Sequence, residues 1–364
     1  MSLLMSLKLF DNNLASPTLI RDITNEVSGL RFSTILHGGF GIASFDLAAD
    51  INEAWYWRTH YFLHRLVIHE KDYTVFEGRL EDMEFIKSGL RATFFGYYSN
   101  LGDVANDGTA TEAGNADVII KSWLTEFCAQ ISADQTNIQA TDIALANVCS
   151  IDDTLLSALD KLSRFSDSTL QAWYFAIWED RVPYFFPRSI STVDWLVFMG
   201  DIESMSLRVS AKLLWNAVYT VYDVAGTATR TSVSTNADSV TKYGITRRKA
   251  ISDVGTVAQA AAENQRDWQL VETQELYQQT DRFSIAGSVH NSNGVRFPNC
   301  RIRAGDVIRI QDLVPASADV TTVARDALRT FYVKETEYDA DTGVVTIIPD
   351  TESLRLESVL AKEL

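Results

Sequence analysis

Short runs in which apolar and polar residues alternate, each closed by glycine or a charged turn, fill the first hundred residues and return after residue 300. Alternation of period two sends one side of an extended segment into a core and the other toward water, so such runs fold as antiparallel strands. Stretches 31–36, 41–47, 61–69, 73–80 and 89–95 read as strands, with a tight hairpin turn at 69–73. The chain is therefore built on sheets, and its helices must be additions to them.

Residues 101–114 hold Gly, Asp, Asn, Thr and Ala with almost no large apolar side chain, which marks a boundary. Beyond it, Val118, Ile119, Trp123, Phe127 and Ile131 recur at three-to-four spacing behind Asn115, which predicts a capped helix. Leu155, Leu156, Leu159 and Leu162 predict a second helix, 168–188 a hairpin, and 195–198 and 213–224 further strands. A helix is expected over 238–268, where three alanines stand at 260–262. Strands return at 300–302, 306–310, 330–336 and 343–349, with a hairpin turn at 339–343 ending in Gly343, and a short amphipathic helix follows.

The predicted fold class is α+β, mainly β, with two antiparallel β-barrel or sandwich domains. The first covers 1–105, and a separate mixed α/β inserted block follows over 106–205. The second is discontinuous, over 206–237 and 296–350, with a helical insertion at 238–295 and a terminal helix at 351–364. With 364 residues and 40.7 kDa the chain is too long for one core. No apolar stretch approaches the roughly 20 residues that cross a bilayer, and the first residues lack the pattern of a secretory signal. Lys and Arg number 32 against 48 Asp and Glu, a net charge of −16 that repels polyanions and argues against nucleic-acid recognition. Residues 101–240 carry 18 of those acids and only 8 bases. The three cysteines, Cys128, Cys149 and Cys300, form no Cys-x-x-Cys and fit reduced, buried thiols.

Catalytic constellations are sparse. His60 and His64 are the one close histidine pair, in a stretch, 56–68, that reads as extended and lacks His-Glu-x-x-His, so no metal is expected. Glu77, Glu81 and Glu84 lie near one another as a glycosidase pair would, but a solvated strand face accounts for them better. No Gly-x-Ser-x-Gly, phosphate loop or dinucleotide fingerprint is present, and no cofactor is expected. The aromatic cluster from Trp55 to Phe62 suits packing at an interface, to which Trp55 and Trp57 are assigned as residues sharing one face of an extended segment. A sugar platform is the alternative reading of the same rings.

Three ordered groups of residues carry a resemblance. Leu36-His37-Gly38-Gly39-Phe40, followed by Ala43-Ser44-Phe45 and later by Val75-Phe76-Glu77-Gly78-Arg79-Leu80, resembles the opening domain of baseplate hub or tail-tip hub proteins of tailed bacteriophages. Trp215-Asn216-Ala217-Val218, then Ser239 through Tyr243-Gly244, resembles a middle motif of those proteins. Arg303-Ala304-Gly305-Asp306, Thr330-Phe331-Tyr332-Val333 and Thr336-Glu337-Tyr338-Asp339 resemble their closing β-region. The resemblance implies two tail-tube-like β-domains per subunit and a homotrimer presenting six of them as a ring. Such a hub joins a sixfold tail tube or distal tail protein to a threefold central spike or fibre, and a tape measure protein is a further implied partner. It would be a virion component of the tail tip or baseplate, assembled in the host cytoplasm, lining the DNA conduit without reading sequence, and without enzymatic activity. A fused lysozyme or protease domain is not expected. Two rival readings are a glycan- or receptor-binding tail component using the aromatic cluster at 55–62, and a cell-wall hydrolase using Glu77 and Glu81.

Overall fold

The computed structural model describes residues 5–60, 63–87, 89–105, 113–142, 144–145, 154–163, 173–187, 192–209, 211–252, 254, 256–274, 278–314, 316 and 329–350. The first β-domain comprises β1 (Met5–Asp11), β2 (Leu19–Asp22), β3 (Val27–Ile35), β4 (Gly38–Leu47), β5 (His64–Glu70), β6 (Tyr73–Ile86) and β7 (Gly89–Phe95), with α1 (Ile51–Arg58) between β4 and β5. Its ladder runs β2–β1–β5–β6–β7–β4–β3, antiparallel throughout. Alternation does what it predicts: Met5, Leu7 and Leu9 of β1 point inward, and they join Phe32, Phe45, Phe76 and Phe94 in one core.

Segment 51–58 is helical, which corrects the extended reading of the Trp55–Trp57 region. Asp50 caps it, its carboxylate accepting from the amides of Asn52 at 2.9 Å and Glu53 at 2.8 Å. Trp57 then inserts edge-on against Phe94, the ring centroids 6.4 Å apart. Three adjacent aromatic residues favour a strand locally, and the cap together with this buried anchor overrides them.

The block that follows contains β8 (Gly114–Asn115), α2 (Ala116–Phe127), β9 (Ala144–Leu145), α3 (Leu155–Ser163), β10 (Trp173–Ile177) and β11 (Pro183–Pro187). α2 buries Ile119, Ile120, Trp123 and Leu124, and α3 buries Leu155, Ala158, Leu159 and Leu162, along the stripes their spacing predicts. Asn115 does stand at the N-cap of α2, but its amide donates to the Thr141 carbonyl instead of capping. β10 and β11 form the expected hairpin, and β10 adds in parallel to β4, Ala176 beside Gly38 and Ile177 beside Gly39.

The remaining elements are β12 (Trp195–Phe198), β13 (Ile202–Met205), β14 (Arg208–Val209), β15 (Ala217–Val224), β16 (Thr227–Arg230), β17 (Ser234–Thr235), α4 (Ala237–Tyr243), β18 (Arg248–Ile251), α5 (Gln259–Thr273), β19 (Gln278–Gln279), β20 (Phe283–Ala286), β21 (Ser288–Asn291), β22 (Arg296–Pro298), β23 (Val307–Gln311), β24 (Thr330–Asp339) and β25 (Val344–Pro349). The second β-domain is assembled from β12, β13 and β20 to β25, around Val197, Phe283, Ile285, Ile308, Phe331 and Ile347. It thus draws on 195–205 and 283–349, where the sequence suggested 206–237 and 296–350. β15 pairs with β16 and β17, and in parallel with β18, as a separate small sheet, with Val218, Ile251 and Leu270 of α5 in its core. Alternation shows that 217–224 is a strand but says nothing about which sheet it joins. The expected helix over 238–268 is two helices with β18 between them, because Gly244, at φ +68°, ends α4 in the left-handed conformation. Residues 299–301 form a 3₁₀ turn, not a strand. The predicted helix at 351–364 lies outside the described residues.

β24 welds the two β-domains. Its residues 335–339 pair with β3 on one side, while the same stretch pairs with β25 on the other. One ladder therefore runs β2–β1–β5–β6–β7–β4–β3–β24–β25–β20–β13 without a break. The architecture is α+β and mainly β.

Candidate functional site

The family-motif residues gather largely where the pieces of the chain meet. Gly39 lies at φ +88° against β10, and a Cβ there would come within 2.1 Å of the Ile177 carbonyl oxygen, so only glycine lets the two backbones touch. Next to it Phe40 is buried, 5.8 Å from the ring of Phe76 and edge-on to Trp178 at 5.0 Å. Gly78 is close-packed in the same way, its absent Cβ 2.6 Å from the Phe95 carbonyl oxygen.

Across the joint, the turn Arg303–Asp306 is held on both sides. Gly305, at φ +97°, donates its amide to Val333 at 2.8 Å, and the Asp306 carboxylate accepts from Trp195 Nε1 at 2.7 Å and the Arg303 amide at 2.9 Å. Burial pushes the Asp306 carboxyl up to about 6. Arg303 lies over Trp178 and pairs with Glu179 at 2.7 Å, and Arg301 pairs with the buried Glu70 at the end of β5. The hydroxyls of Thr34 and Thr336 meet at 2.7 Å, and Thr34 also accepts from the Ala304 amide. Tyr338 stacks obliquely on Phe32 at 5.1 Å across the β3–β24 pairing. A cleft of about 560 Å³ opens here between Trp178, Tyr184, Phe186, Asp194 and Asp306.

A second junction was invisible in the sequence. The turn between β10 and β11 holds two consecutive non-glycine residues at positive φ, Asp180 (56°) and Arg181 (60°), a conformation that costs of order 1–2 kcal/mol per residue. It delivers Arg181, fully buried, into the base of the first β-domain, over the ring of Tyr97 at 4.3 Å and onto Asn12 Oδ1 at 2.7 Å. Glu77 accepts from the Asp180 amide at 2.9 Å, pairs with Arg65 at 3.0 Å, and lies 3.9 Å from Arg181. Burial pushes the Glu77 carboxyl up, opposed chiefly by Arg65. Glu77 is therefore no part of a solvated face, and it stands apart from Glu81, which binds Arg79. The signal that could have found it is a lone acid flanked by Phe76 and Gly78 in a strand whose neighbours point inward.

Asn216 is wholly buried and ties the small sheet together. Its side chain donates to the Ile245 carbonyl and accepts from the Arg247 amide, both at 2.8 Å, while its carbonyl accepts from Asn236. Ser239, within hydrogen-bonding reach at 3.4 Å, links it to α4, and Tyr243 and Gly244 form the end of that helix. These motif residues support one another but lie apart from the joint.

The assignment of Trp55 and Trp57 to one interface face is corrected by α1. Trp57 is 1% exposed and Trp55 57%, because neighbours two apart on a helix point in different directions. Trp57 is therefore closed to a glycan, while Trp55 and Tyr56 of the same cluster stay exposed. His60 and His64 do meet, their rings stacked 5.2 Å apart, with His64 packed on Trp57. Burial, and secondarily His60, push His64 down to about 4. Ile20 of β2, Tyr56 and Leu63 line a shallow cleft with these histidines, and Ile51 and Trp55 of α1 are exposed as well.

A mainly-β chain whose two β-domains share a strand, with a mixed block docked on the first, has the fold of phage tail proteins. It is similar over 94% of its length to a tail protein from Neisseria meningitidis, covering 95% of that chain with a TM-score of 0.59 at 11% identity. A prophage tail protein from Listeria monocytogenes matches over 98% of this chain and 99% of its own, with a TM-score of 0.58 at 13% identity. The 43 kDa tail protein of a Shewanella oneidensis prophage matches over 96% and 100%, with a TM-score of 0.55 at 10% identity. No family model and no curated protein matches the sequence.

Proposed function

We propose that this chain is a structural virion protein, the homotrimeric hub of a phage tail tip or baseplate. Three copies would present six β-domains as a ring, adapting a sixfold tail tube to a threefold spike or fibre and lining the DNA conduit. The observation that carries the reading is the β3–β24 weld, which makes two β-domains one rigid unit, as a subunit occupying two positions of a sixfold ring requires. The likeness to tail proteins over nearly the whole chain supports it. The net charge of −16 suits a conduit that must not hold DNA. Disrupting the gene in an inducible phage should give particles lacking a tail tip in electron micrographs, restored by the wild-type chain. Normal, infectious tails from the disrupted phage would refute it.

A further inference from the structure

The ladder that begins at β2 ends at β13, and among the described residues each of these strands pairs on one side only, β2 with β1 and β13 with β20. An unguarded strand edge recruits another strand. Exposed apolar side chains stand in or near both strands, Ile20 (41%) in β2, and Phe198 (44%) and Met199 in the residues just before β13, with the Phe198 ring edge-on to His290 at 5.5 Å. Arg21 bonds Glu53 and so fastens β2 to α1, making strand and helix one surface.

We propose that β13 of one copy pairs with β2 of the next, a head-to-tail contact that continues the sheet from subunit to subunit. The two strands match in length, at four residues each. Antiparallel alignment sets Leu19 against Met205, Ile20 against Ser204, Arg21 against the exposed Glu203 and Asp22 against Ile202, so the first and third pairs complement, with Arg21 shared among Glu26, Glu53 and the incoming Glu203. Two different surfaces in contact make the interface heterologous, which gives a ring where the rotation between copies closes, as the hub reading requires, and an open filament where it does not. The contact rests on the oligomeric reading above and names the surfaces that would form it.

The test compares light-scattering masses of wild type, Ile20→Glu and Phe198→Glu, with circular dichroism melts as the control for folding. Both side chains are exposed, so melts should match wild type, while the mass should fall from three times 40.7 kDa to that of one chain. A wild-type trimer with either folded variant still trimeric overturns the β2–β13 contact and leaves the hub reading standing; a monomeric wild type overturns both. Independently, mild oxidation of mixed Arg21→Cys and Glu203→Cys chains should give a disulfide-linked dimer that neither chain gives alone. A dimer from Arg21→Cys alone would show β2 facing β2 and would refute the head-to-tail arrangement.

Discussion

Arg181 shows how a single residue can hold two parts of a chain together. Its charge is buried with Glu77 and Arg65, so deleting Glu77 takes the carboxylate from Arg181 and leaves Arg65 with Asp180 alone, at 3.1 Å. Losing one partner of a buried ion pair costs about 3–5 kcal/mol. Glu77→Ala should lower the unfolding free energy by that amount in urea titrations. Were Glu77 a catalytic acid on an open face, the same substitution would leave stability almost unchanged. His64 carries the second residue-scale prediction. A base whose folded pKa is depressed, here from 6.5 to about 4, keeps its full contribution above pH 6.5 and loses stability as pH falls toward 4. At one pKa unit per 1.36 kcal/mol the loss reaches at most about 3 kcal/mol. His64→Phe, which preserves the edge-on contact with Trp57, should flatten the melting temperature between pH 6.5 and 4; an unchanged slope would place the acid sensitivity elsewhere.

Among elements, close backbone contact and buried polar ties decide which segments stay together. Any side chain at Gly39 meets the Ile177 carbonyl, and a clash of that kind costs roughly 1–3 kcal/mol. Gly39→Val should therefore raise amide exchange in β10 and β11 while sparing β20 to β25. Uniform protection would mean that the β4–β10 contact is dispensable. Asn216→Ala strands the Arg247 amide and the Ile245 carbonyl, a loss of about 1–3 kcal/mol, and its exchange signature should be confined to β15, β18 and α4. The sequence made most elements legible, since alternation and heptad-like spacing are local signals. Asp50 was the local clue that 51–58 is a helix, and three aromatic residues masked it. What stayed hidden was pairing between distant segments. Nothing at Glu77 points to Arg181, and nothing in 217–224 separates a small third sheet from the second β-domain. Gly39 and Gly305 stood out only within the motifs that carry the resemblance, and their positive φ and the strands they meet came from the fold.

At the level of the whole molecule, β24 joins the two β-domains in one ladder, whose end strands pair on one side only among the described residues. Those features suit the proposed assembling subunit, with acidic residues outnumbering basic ones by 16 on a chain proposed to line a DNA passage. The most direct test is the mass of the purified protein by light scattering, with negative-stain images of the same sample. The hub account predicts three times 40.7 kDa and rings with a central hole. A single-chain mass at micromolar concentrations, with no rings in the images, would contradict it.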